Sequence, residues 1–513
     1  MLGVLVSVVT SVLAYVLLLL LVVWCWFQWT KWDFLQVARR MPSTVKVFPI
    51  IGSLHLMLGG NEGFTRSAII NMSKAAVSTG LYNVCVWLGP LPVLLFHKVE
   101  DVQKILTTSA AFEKASELDY FKYAAGNGLL TAPGHIWKIT RRHISPLFHS
   151  RNVEQMMSVF NSNSKEMVSH IEEHPNGEPL DVLHPSMSVS LKTVCQLIFG
   201  TELDFDTRSK EFQGLIKVVE KIPDYFSQRM IKPWLRVDPI FEFLYRKELK
   251  EMDKLWTQFT EAPLKVANTN HANKNKSTEN ENEESEHEGP LNLIDVYREL
   301  QKKYPQFTES DLKGEMVTLY CTGTDTISLT VSSCLMVLGK LQDIQERVYE
   351  EITEVVGQDD DVTTDHISKM QYLDQVYKET LRWAIIVPYV SRRTTEDLKL
   401  STCTVPAGNS VVACLVGPHM DPNIYPDPDK FDPEHFSPEN PASRNKHAFI
   451  PFSTGSRMCI GKTYTENLVK TMLVQVLRKL KVSTDLDIYN LKKKYVVTLV
   501  SSEGYPIKFS QRT

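Results

Sequence analysis

Residues Phe452–Gly461 read FSTGSRMCIG. The one cysteine in this stretch, Cys459, stands two residues after an arginine and two residues before a glycine. The chain continues with apolar residues at helical spacing, which are Leu468, Met472, Leu473, Val476 and Leu477. This pattern predicts a helix and puts Cys459 at or just before its N-terminus. Free N–H groups and the positive end of the helix dipole lower the pKa of a thiol there, and the resulting thiolate is a nucleophile or a metal ligand.

The residues beside Cys459 suit a flat partner with an anionic group. Gly455 and Gly461 allow the backbone to approach such a partner closely or to adopt positive φ, and Arg457 suits an anion beside the sulfur. A cysteine protease is an alternative, but it needs a base beside the thiol. The sequence places no His or Asn to act as that base.

Composition limits the classes of protein that this chain can be. It has 513 residues, of which 43% are hydrophobic, enough for one large body or a pair of domains. The formal net charge of -4, without zinc-finger spacing or an arginine-rich arm, predicts no nucleic-acid partner. The eight cysteines form no C-x-x-C pair, which argues against structural zinc or a disulfide framework and favours a reducing compartment.

The N-terminus has the pattern of a membrane anchor. Residues Leu2–Phe27 carry no charge and exceed the roughly 20 apolar residues that span a bilayer. Tryptophans cluster at the end of this run and basic residues follow, which predicts an anchor over residues 1–29 and a cytosolic body. A cleaved secretory signal is the alternative, but the run has no basic start and no small-residue cleavage site. We expect a linker with a proline hinge at 30–52 and a catalytic domain at 53–513.

The remaining pattern predicts a mainly α fold with a small β-rich subdomain. Residues 83–97, NVCVWLGPLPVLLFH, indicate two strands about a Gly89–Pro90 turn. Long helical patterns then dominate as far as Leu480, including one helix from about Asp311 to Gln342. The stretch Asn268–Gly289 is almost free of apolar residues and indicates a mobile surface loop.

The motif F-x-x-G-x-R-x-C-x-G resembles the haem-binding loop of the cytochrome P-450 superfamily. The resemblance implies haem b as the cofactor and Cys459 as the fifth ligand of its iron. It places Phe452, Gly455, Arg457 and Gly461 around the haem as well.

A second motif resembles the E-x-x-R pair of that family, which locks the core beneath the haem. Glu379 and Arg382 stand three apart on a helical pattern in KETLRW and therefore share one face. The family's third partner is an arginine in P-E-R-F, whereas this sequence has PEHF with His435. Because histidine is only partly charged near neutral pH, we expect this triad to be weakened.

Further motifs resemble those of the family around haem and dioxygen. CTGTDTIS contains Gly323, Asp325 and Thr326, which resemble G-x-D-T and imply an acid and a hydroxyl that relay protons to bound dioxygen. Threonine at this place can bond back to the i−4 carbonyl, which loosens one turn and makes a groove for dioxygen. Trp137 and Arg141 resemble the W-x-x-x-R that holds a haem propionate. Two more propionate arginines are expected, which are Arg392 and Arg457.

The resemblance covers essentially the whole chain after the anchor and is greatest to the insect-rich microsomal clan that includes fatty-acid ω-hydroxylases. Many members of that clan have a glutamate that esterifies a haem methyl group. This sequence has Thr322 there, so no ester link forms and strict terminal-carbon selectivity is not expected.

These features predict a membrane-anchored haem-thiolate monooxygenase of the endoplasmic reticulum. No G-x-G-x-x-G follows a strand, so electrons come from a separate protein, and the resemblance implies NADPH-cytochrome P-450 reductase. Its docking face is expected at Lys138, Arg142 and Lys462, for which an ordinary solvated surface is the alternative. The substrate-contact regions of the family fall near Tyr120, Tyr320, 385–390 and 500–505, and their apolar character predicts a lipophilic substrate: a fatty acid, hormone or xenobiotic.

Two other classes of function remain open. A haem-thiolate isomerase or dehydratase needs Cys459 but no proton relay, so the pair Asp325–Thr326 argues against it. A non-enzymatic haem carrier or sensor does not need that pair either.

Overall fold

The computed structural model describes residues 2–57, 60–201, 204–257, 260–261, 264–265, 289–440 and 447–512. The polar stretch predicted as a mobile loop, Asn268–Gly289, lies outside the described residues apart from Gly289. Helices make up most of the described chain, with several small sheets. The predicted fold class is therefore confirmed.

The order of elements follows the chain. The helices up to the polar stretch are α1 (Leu2–Thr30), α2 (Trp32–Arg40), α3 (Gly60–Phe64), α4 (Met72–Ser78), α5 (Val99–Thr107), α6 (Lys122–Ala125), α7 (Gly134–Ile144), α8 (Ser150–Gln155), α9 (Met157–Glu172), α10 (Leu183–Phe199), α11 (Lys210–Ile231), α12 (Asp238–Leu244) and α13 (246–257). The later helices are α14 (Leu293–Lys303), α15 (Glu309–Lys340), α16 (Gln342–Val355), α17 (Thr364–Lys369), α18 (Gln371–Ala384), α19 (Val416–His419) and α20 (Lys462–Lys479).

The strands form four small sheets. They are β1 (Asn83–Leu88), β2 (Leu91–Phe96), β3 (Glu113–Lys114), β4 (Pro179–Asp181), β5 (Tyr389–Arg393), β6 (Leu398–Lys399), β7 (Thr404–Val405), β8 (Ser410–Cys414), β9 (Leu480–Ser483), β10 (Lys493–Val496), β11 (Thr498–Ser501) and β12 (Pro506–Gln511). The largest sheet has the order β1-β2-β8-β5-β3, and β4-β12-β9 forms a three-stranded sheet. The pairs β10-β11 and β6-β7 complete the set.

The hairpin predicted about Gly89–Pro90 is confirmed. Strands β1 and β2 pair antiparallel, with Leu88 opposite Leu91 at the turn end. Gly89 has φ +63, a left-handed conformation that glycine adopts without a steric penalty.

Helix α15 is the central helix of the body and carries the residues that resemble G-x-D-T. It packs most extensively against α10, and most of its side chains are buried. It begins two residues before the predicted start because Thr308 and Asp311 form a capping box, in which each side chain accepts a bond from the other's backbone N–H. The helix continues without interruption through the turn that was expected to loosen.

The N-terminal region combines an exposed apolar helix with a segment that packs on the body. The part of α1 from Ser7 to Thr30 is long and apolar enough to cross a membrane, and none of it is buried. The expected linker at 30–52 contains α2, whose Leu35 and Ala38 are fully buried. After α2 the chain stays attached to the sheet through a hydrogen bond from Cys85 N to Pro42 O of 2.8 Å.

Candidate functional site

The segment around Cys459 forms a closed loop before α20. The backbone N–H of Cys459 donates to the carbonyl of Phe452 at 3.0 Å, and that of Met458 donates to Gly455 at 3.1 Å. Gly455 has φ +79, and a Cβ added there would collide with the carbonyl oxygen of Leu106. The loop therefore needs glycine at 455 both for its conformation and for its contact with α5.

Gly461 has φ -84, so positive φ, one of the two reasons expected for glycine here, does not apply at this position. A Cβ at this position would stand 3.9 Å from the sulfur of Cys459, an ordinary contact. The backbone N–H of Gly461 hydrogen-bonds to the thiol of Cys459.

The thiol of Cys459 has a raised pKa, in contrast to the lowered value expected from its position before a helix. Burial within surrounding protein is the main cause, and the Gly461 N–H, Arg141 and Lys114 act in the opposite direction. Cys459 as a whole residue is nevertheless exposed. A bound metal ion deprotonates a coordinating thiol whatever its resting pKa.

No group of three or more His, Cys, Asp or Glu side chains that could hold a metal ion occurs among the residues that the structure describes. A metal ion held by Cys459 can take its other ligands from a non-protein group. The tetrapyrrole of haem supplies such ligands.

Three basic side chains converge next to the Cys459 loop. Lys114 of β3 lies opposite Arg392 of β5 in the sheet. Burial, followed by repulsion from Arg457, lowers the pKa of Arg392 to about 10. Burial also lowers the pKa of Arg457 to about 10, and burial followed by repulsion from Arg392 and Arg457 lowers that of Lys114.

Two of these three cations have buried N–H donors without a hydrogen-bond acceptor, which indicates an anionic partner. Nη2 of Arg392 and both Nε and Nη1 of Arg457 are buried without a hydrogen-bond partner. Arg457 does bond to the Ala132 carbonyl at 3.2 Å and lies 3.8 Å from Glu113, but one carboxylate does not balance three cations. Because unpaired buried charge is costly, the residues present fit a group with two carboxylates, such as the propionates of haem b.

Trp137 and Arg141 lie one turn apart on α7, and the guanidinium of Arg141 is 6.0 Å from the centre of the Trp137 ring. The guanidinium of Arg457 stacks over the rings of Trp137 at 4.4 Å and Phe112 at 4.6 Å. Arg141 instead donates to the carbonyl of Met458 at 3.1 Å and so holds the cysteine loop to α7.

Glu379 and Arg382 form a fully buried ion pair on α18. Two parallel bonds of 2.7 Å join the guanidinium to the carboxylate. Arg382 also donates to three backbone carbonyls, those of His419, Pro428 and Lys430. The pair therefore fastens α18 to the segment that leads towards the cysteine loop.

His435 occupies the place of the family's third partner in this cluster. Its Nδ1 lies 3.2 Å from the Glu379 carboxylate and its Nε2 lies 2.8 Å from the Pro426 carbonyl. Both neighbours are acceptors, and a neutral ring donates from only one nitrogen. His435 therefore contacts the carboxylate of Glu379, and the weakening of this triad stays a prediction.

The three residues that resemble G-x-D-T are brought together on one part of α15, where each is partly exposed. Gly323 leaves room for Val194 of α10, because a Cβ added at position 323 would stand 2.9 Å from a methyl group of Val194. The hydroxyl of Thr326 donates to the Thr322 carbonyl at 2.7 Å, as the back-bonding expectation requires. Thr322 itself donates to the Thr318 carbonyl at 2.7 Å.

Asp325 has its pKa raised to about 6. Burial is the main cause, Glu220 adds to it, and a hydrogen bond from Thr498 acts against it. The hydroxyl of Thr498 donates to the carboxylate at 2.8 Å. A carboxyl with a pKa near neutrality can both give and take protons.

The predicted substrate-contact regions are distributed over several clusters. Tyr320 is fully buried in the main core, and Tyr505 is also buried. Pro388 and Tyr389 instead line a cavity of about 380 Å³ that also touches Phe27, Lys31 and Arg236. This cavity lies between the end of α1 and the region of β5, and neither Cys459 nor Asp325 contributes to its lining.

Sequence reasoning missed Lys114, Phe112 and Thr498. Each contacts a predicted site residue from a distant part of the chain: Lys114 through strand pairing, Phe112 through stacking and Thr498 through its hydroxyl. A single chain carries no signal for such pairings, because lysine, phenylalanine and threonine are common in strands and turns. A covarying pair in related sequences is the signal that reveals such contacts.

Comparison with known proteins gives a consistent result. The family model described as Cytochrome P450 matches residues 46–508. Cytochrome P450 4V2 of Rattus norvegicus is 27% identical, with 94% of this chain and 91% of the relative covered, and the same protein of Homo sapiens is 26% identical over the same shares. Cytochrome P450 4c3 of Drosophila melanogaster is 28% identical, with 85% and 82% covered. The chain therefore belongs to the cytochrome P450 family and is a monooxygenase that uses haem b.

Proposed function

We propose that this protein is a membrane-bound monooxygenase of the endoplasmic reticulum that oxidises a lipophilic substrate with electrons from NADPH-cytochrome P-450 reductase. The observation that carries the proposal is the convergence of Cys459 with Lys114 and with the buried Arg392 and Arg457, both of which have N–H donors that lack acceptors. Haem, when bound, supplies the activation of dioxygen that side chains alone do not provide.

In this proposal the chain binds haem through two sets of residues. Cys459 would provide the thiolate that binds the iron, and the hydrogen bond from Cys459 N to Phe452 O holds this residue in place. Arg392 and Arg457 would hold the propionates, with Lys114 as a further cation and with Trp137 packed against Arg457. Arg141 acts on the same loop by its bond to Met458.

Asp325 and Thr326 hold and move the protons that dioxygen needs. Their place on α15, partly exposed and inside the body, supports this role. The pKa of Asp325, about 6, allows its carboxyl to exchange protons near neutral pH. The Thr326 hydroxyl is bonded to the Thr322 carbonyl and can rotate to donate elsewhere.

A lipophilic substrate is supported by the cavity beside Pro388 and Tyr389. Its lining is mostly apolar and includes Phe27 at the end of α1. The position of Phe27 in the lining places the cavity next to the end of the proposed membrane helix. A fatty acid, a hormone and a xenobiotic all satisfy this requirement.

Attachment to the membrane is supported by two exposed apolar surfaces. One is α1, and the other lies at residues 233–244, where Trp234, Phe243 and Leu244 are more than half exposed. The cavity lining includes both Phe27 and Arg236, so the second surface lies near the end of the first. Aromatic and aliphatic side chains in this position suit the lipid interface.

Deletion of residues 1–29 is expected to convert the protein from an integral to a peripheral membrane protein. The spanning helix is lost, while the apolar surface at 233–244 keeps interfacial contact. Membrane fractions from expressing cells test this by washing with alkaline high-salt buffer. The truncated protein should be released with its haem spectrum intact, whereas the full chain should need detergent. Recovery of the full chain in the wash would contradict the anchor.

The reductase is expected to dock beside the cysteine loop. Lys138 and Arg142 lie one turn apart on α7, Lys462 begins α20, and all three are exposed. The bond from Arg141 to Met458 keeps α7 next to the loop. A basic surface there suits an acidic partner and shortens the path for electrons.

The two other candidate functions differ from the monooxygenase because neither needs a proton relay. An isomerase or dehydratase, and equally a haem carrier, uses Cys459 without a relay. The placement of Asp325 on the accessible part of α15, bonded to a hydroxyl, favours the monooxygenase.

Thr326→Ala is expected to retain haem, fold and substrate binding while it diverts electrons from product to peroxide. A relay that lacks one hydroxyl delivers protons to the wrong place, although reduction continues. General acid–base groups contribute roughly 10² to 10⁴ in rate, and water can replace part of a missing hydroxyl. We therefore expect the ratio of product formed to NADPH consumed to fall about tenfold or more.

Thr330→Ala is the matched control for this variant. Thr330 stands one turn further along α15 and donates to the Thr326 carbonyl, but it is buried. Its loss should leave the ratio unchanged. Equal ratios for Thr326→Ala and the unmodified protein would mean that the hydroxyl is structural, and would favour the isomerase or carrier.

A further inference from the structure

The carboxylate of Asp325 is held by a residue from a different part of the fold. Thr498 begins β11, directly after the turn residue Val497, whose φ is +73. Its hydroxyl donates to Oδ2 of Asp325 at 2.8 Å, and its side chain is almost completely buried. This bond joins the hairpin β10–β11 to the middle of α15.

The nearby hydroxyls of α15 do not bind this carboxylate. Thr322 and Thr326 donate to carbonyls one turn back, and Ser328 donates to the backbone oxygen of Asp325 at 3.0 Å. Within the described part of the chain, Thr498 is the only side chain that hydrogen-bonds to the carboxylate of Asp325. The orientation of this acid is therefore determined by β11.

We propose that Thr498 is a positioning residue for proton delivery, which fixes the carboxylate of Asp325 in the orientation that serves Thr326. This inference rests on the relay in the proposed function. Thr498 touches neither haem nor dioxygen in this role and acts only through Asp325. Its own position is fixed by the next residue, since the Leu499 N–H donates to the Ile386 carbonyl at 2.9 Å.

The groups around Asp325 make the loss of this bond measurable. Glu220 of α11 raises its pKa, and the neighbouring titratable groups are Cys321 on α15 and Tyr505 before β12. Thr498 is the group that lowers it. Removal of the hydroxyl leaves burial and Glu220 unopposed, so the pKa of Asp325 should rise above its value of about 6.

Thr498→Val and Thr498→Ser test the proposal. Valine keeps the size of threonine without the hydroxyl, whereas serine keeps the hydroxyl. For Thr498→Val we expect the ratio of product to NADPH to fall about tenfold, which is less than the roughly 10² to 10⁴ of an acid–base group because Asp325 itself is retained, and its pH dependence to shift to higher pH. Thr498→Ser should restore both. An unchanged pH dependence in Thr498→Val, or no recovery in Thr498→Ser, would overturn the proposal.

A second measurement does not depend on turnover. The unfolding midpoints of Thr498→Val, Asp325→Asn and the double variant should be non-additive, because the two residues share one bond. Additive midpoints would show that the bond is absent and would overturn the proposal. Turnover driven by hydrogen peroxide, which supplies oxygen, electrons and protons together, should be unchanged in Thr498→Val, and an equal loss there would indicate a merely structural role.

The same set of variants separates this inference from the proposed relay. Asp325→Asn and Thr326→Ala lower the product ratio if the relay exists. If they do so while Thr498→Val does not, only the role of Thr498 is wrong. If none of the three changes the ratio, the relay itself is wrong.

Discussion

Cys459→Ser is expected to abolish the carbon monoxide band that marks thiolate-ligated haem, together with all turnover. A serine hydroxyl stays protonated at neutral pH and is too poor an anionic donor to replace the sulfur. The hydrogen bond from Cys459 N to Phe452 O involves only backbone atoms, so the loop should keep its conformation in this variant. The measurement is the difference spectrum of the reduced protein with and without carbon monoxide.

Cys403→Ser is the matched control for this substitution. Cys403 is also a free cysteine and is only partly buried, but it lies between β6 and β7 and outside the site. It should leave the band at full height. A normal band in Cys459→Ser would disprove the haem-thiolate assignment.

Glu379→Ala is expected to prevent accumulation of folded haem protein. The substitution leaves the fully buried guanidinium of Arg382 without its carboxylate and removes the acceptor of His435 and of the Asp432 N–H. Breaking a buried ion pair in this way costs about 3–5 kcal/mol. That loss is a large fraction of the roughly 5–15 kcal/mol that stabilises a folded domain. The yield of haem-loaded protein after detergent extraction measures it.

Glu434→Ala is the corresponding control at the surface. Glu434 lies close in sequence to His435 but is exposed, and it contacts the exposed Arg347 at 3.4 Å. Such a pair contributes about 0–1 kcal/mol, so the yield should be near that of the unmodified protein. Equal yields for Glu379→Ala and Glu434→Ala would contradict the structural role of the buried pair.

The short motifs were predictable because their geometry is local. Gly455 must be glycine because it has positive φ and lies against the backbone of Leu106. The positive φ is a requirement that a few residues of sequence make visible. Glu379 and Arg382 share a helical face by spacing alone. The hairpin at Gly89 follows from a turn dipeptide between two apolar runs.

Properties that depend on burial or on distant partners were not predictable. Desolvation by the surrounding protein raises the pKa of the Cys459 thiol more than the Gly461 N–H, Arg141 and Lys114 lower it, and only folding brings these neighbours together. Lys114 and Thr498 reach the site through β3 and β11, whose pairing a local pattern does not specify.

The Thr308 cap, by contrast, was visible in the sequence as a threonine three residues before an acid, and it moves the start of α15.

The most direct test of the central claim follows the fate of dioxygen. The full-length protein, with NADPH-cytochrome P-450 reductase, NADPH and a lipophilic compound that binds it, is supplied with dioxygen labelled with the heavy isotope of oxygen. Mass spectrometry of the product should find one labelled oxygen atom per molecule, formed only while NADPH is consumed. A product without the label, or one formed without NADPH, would contradict the monooxygenase account.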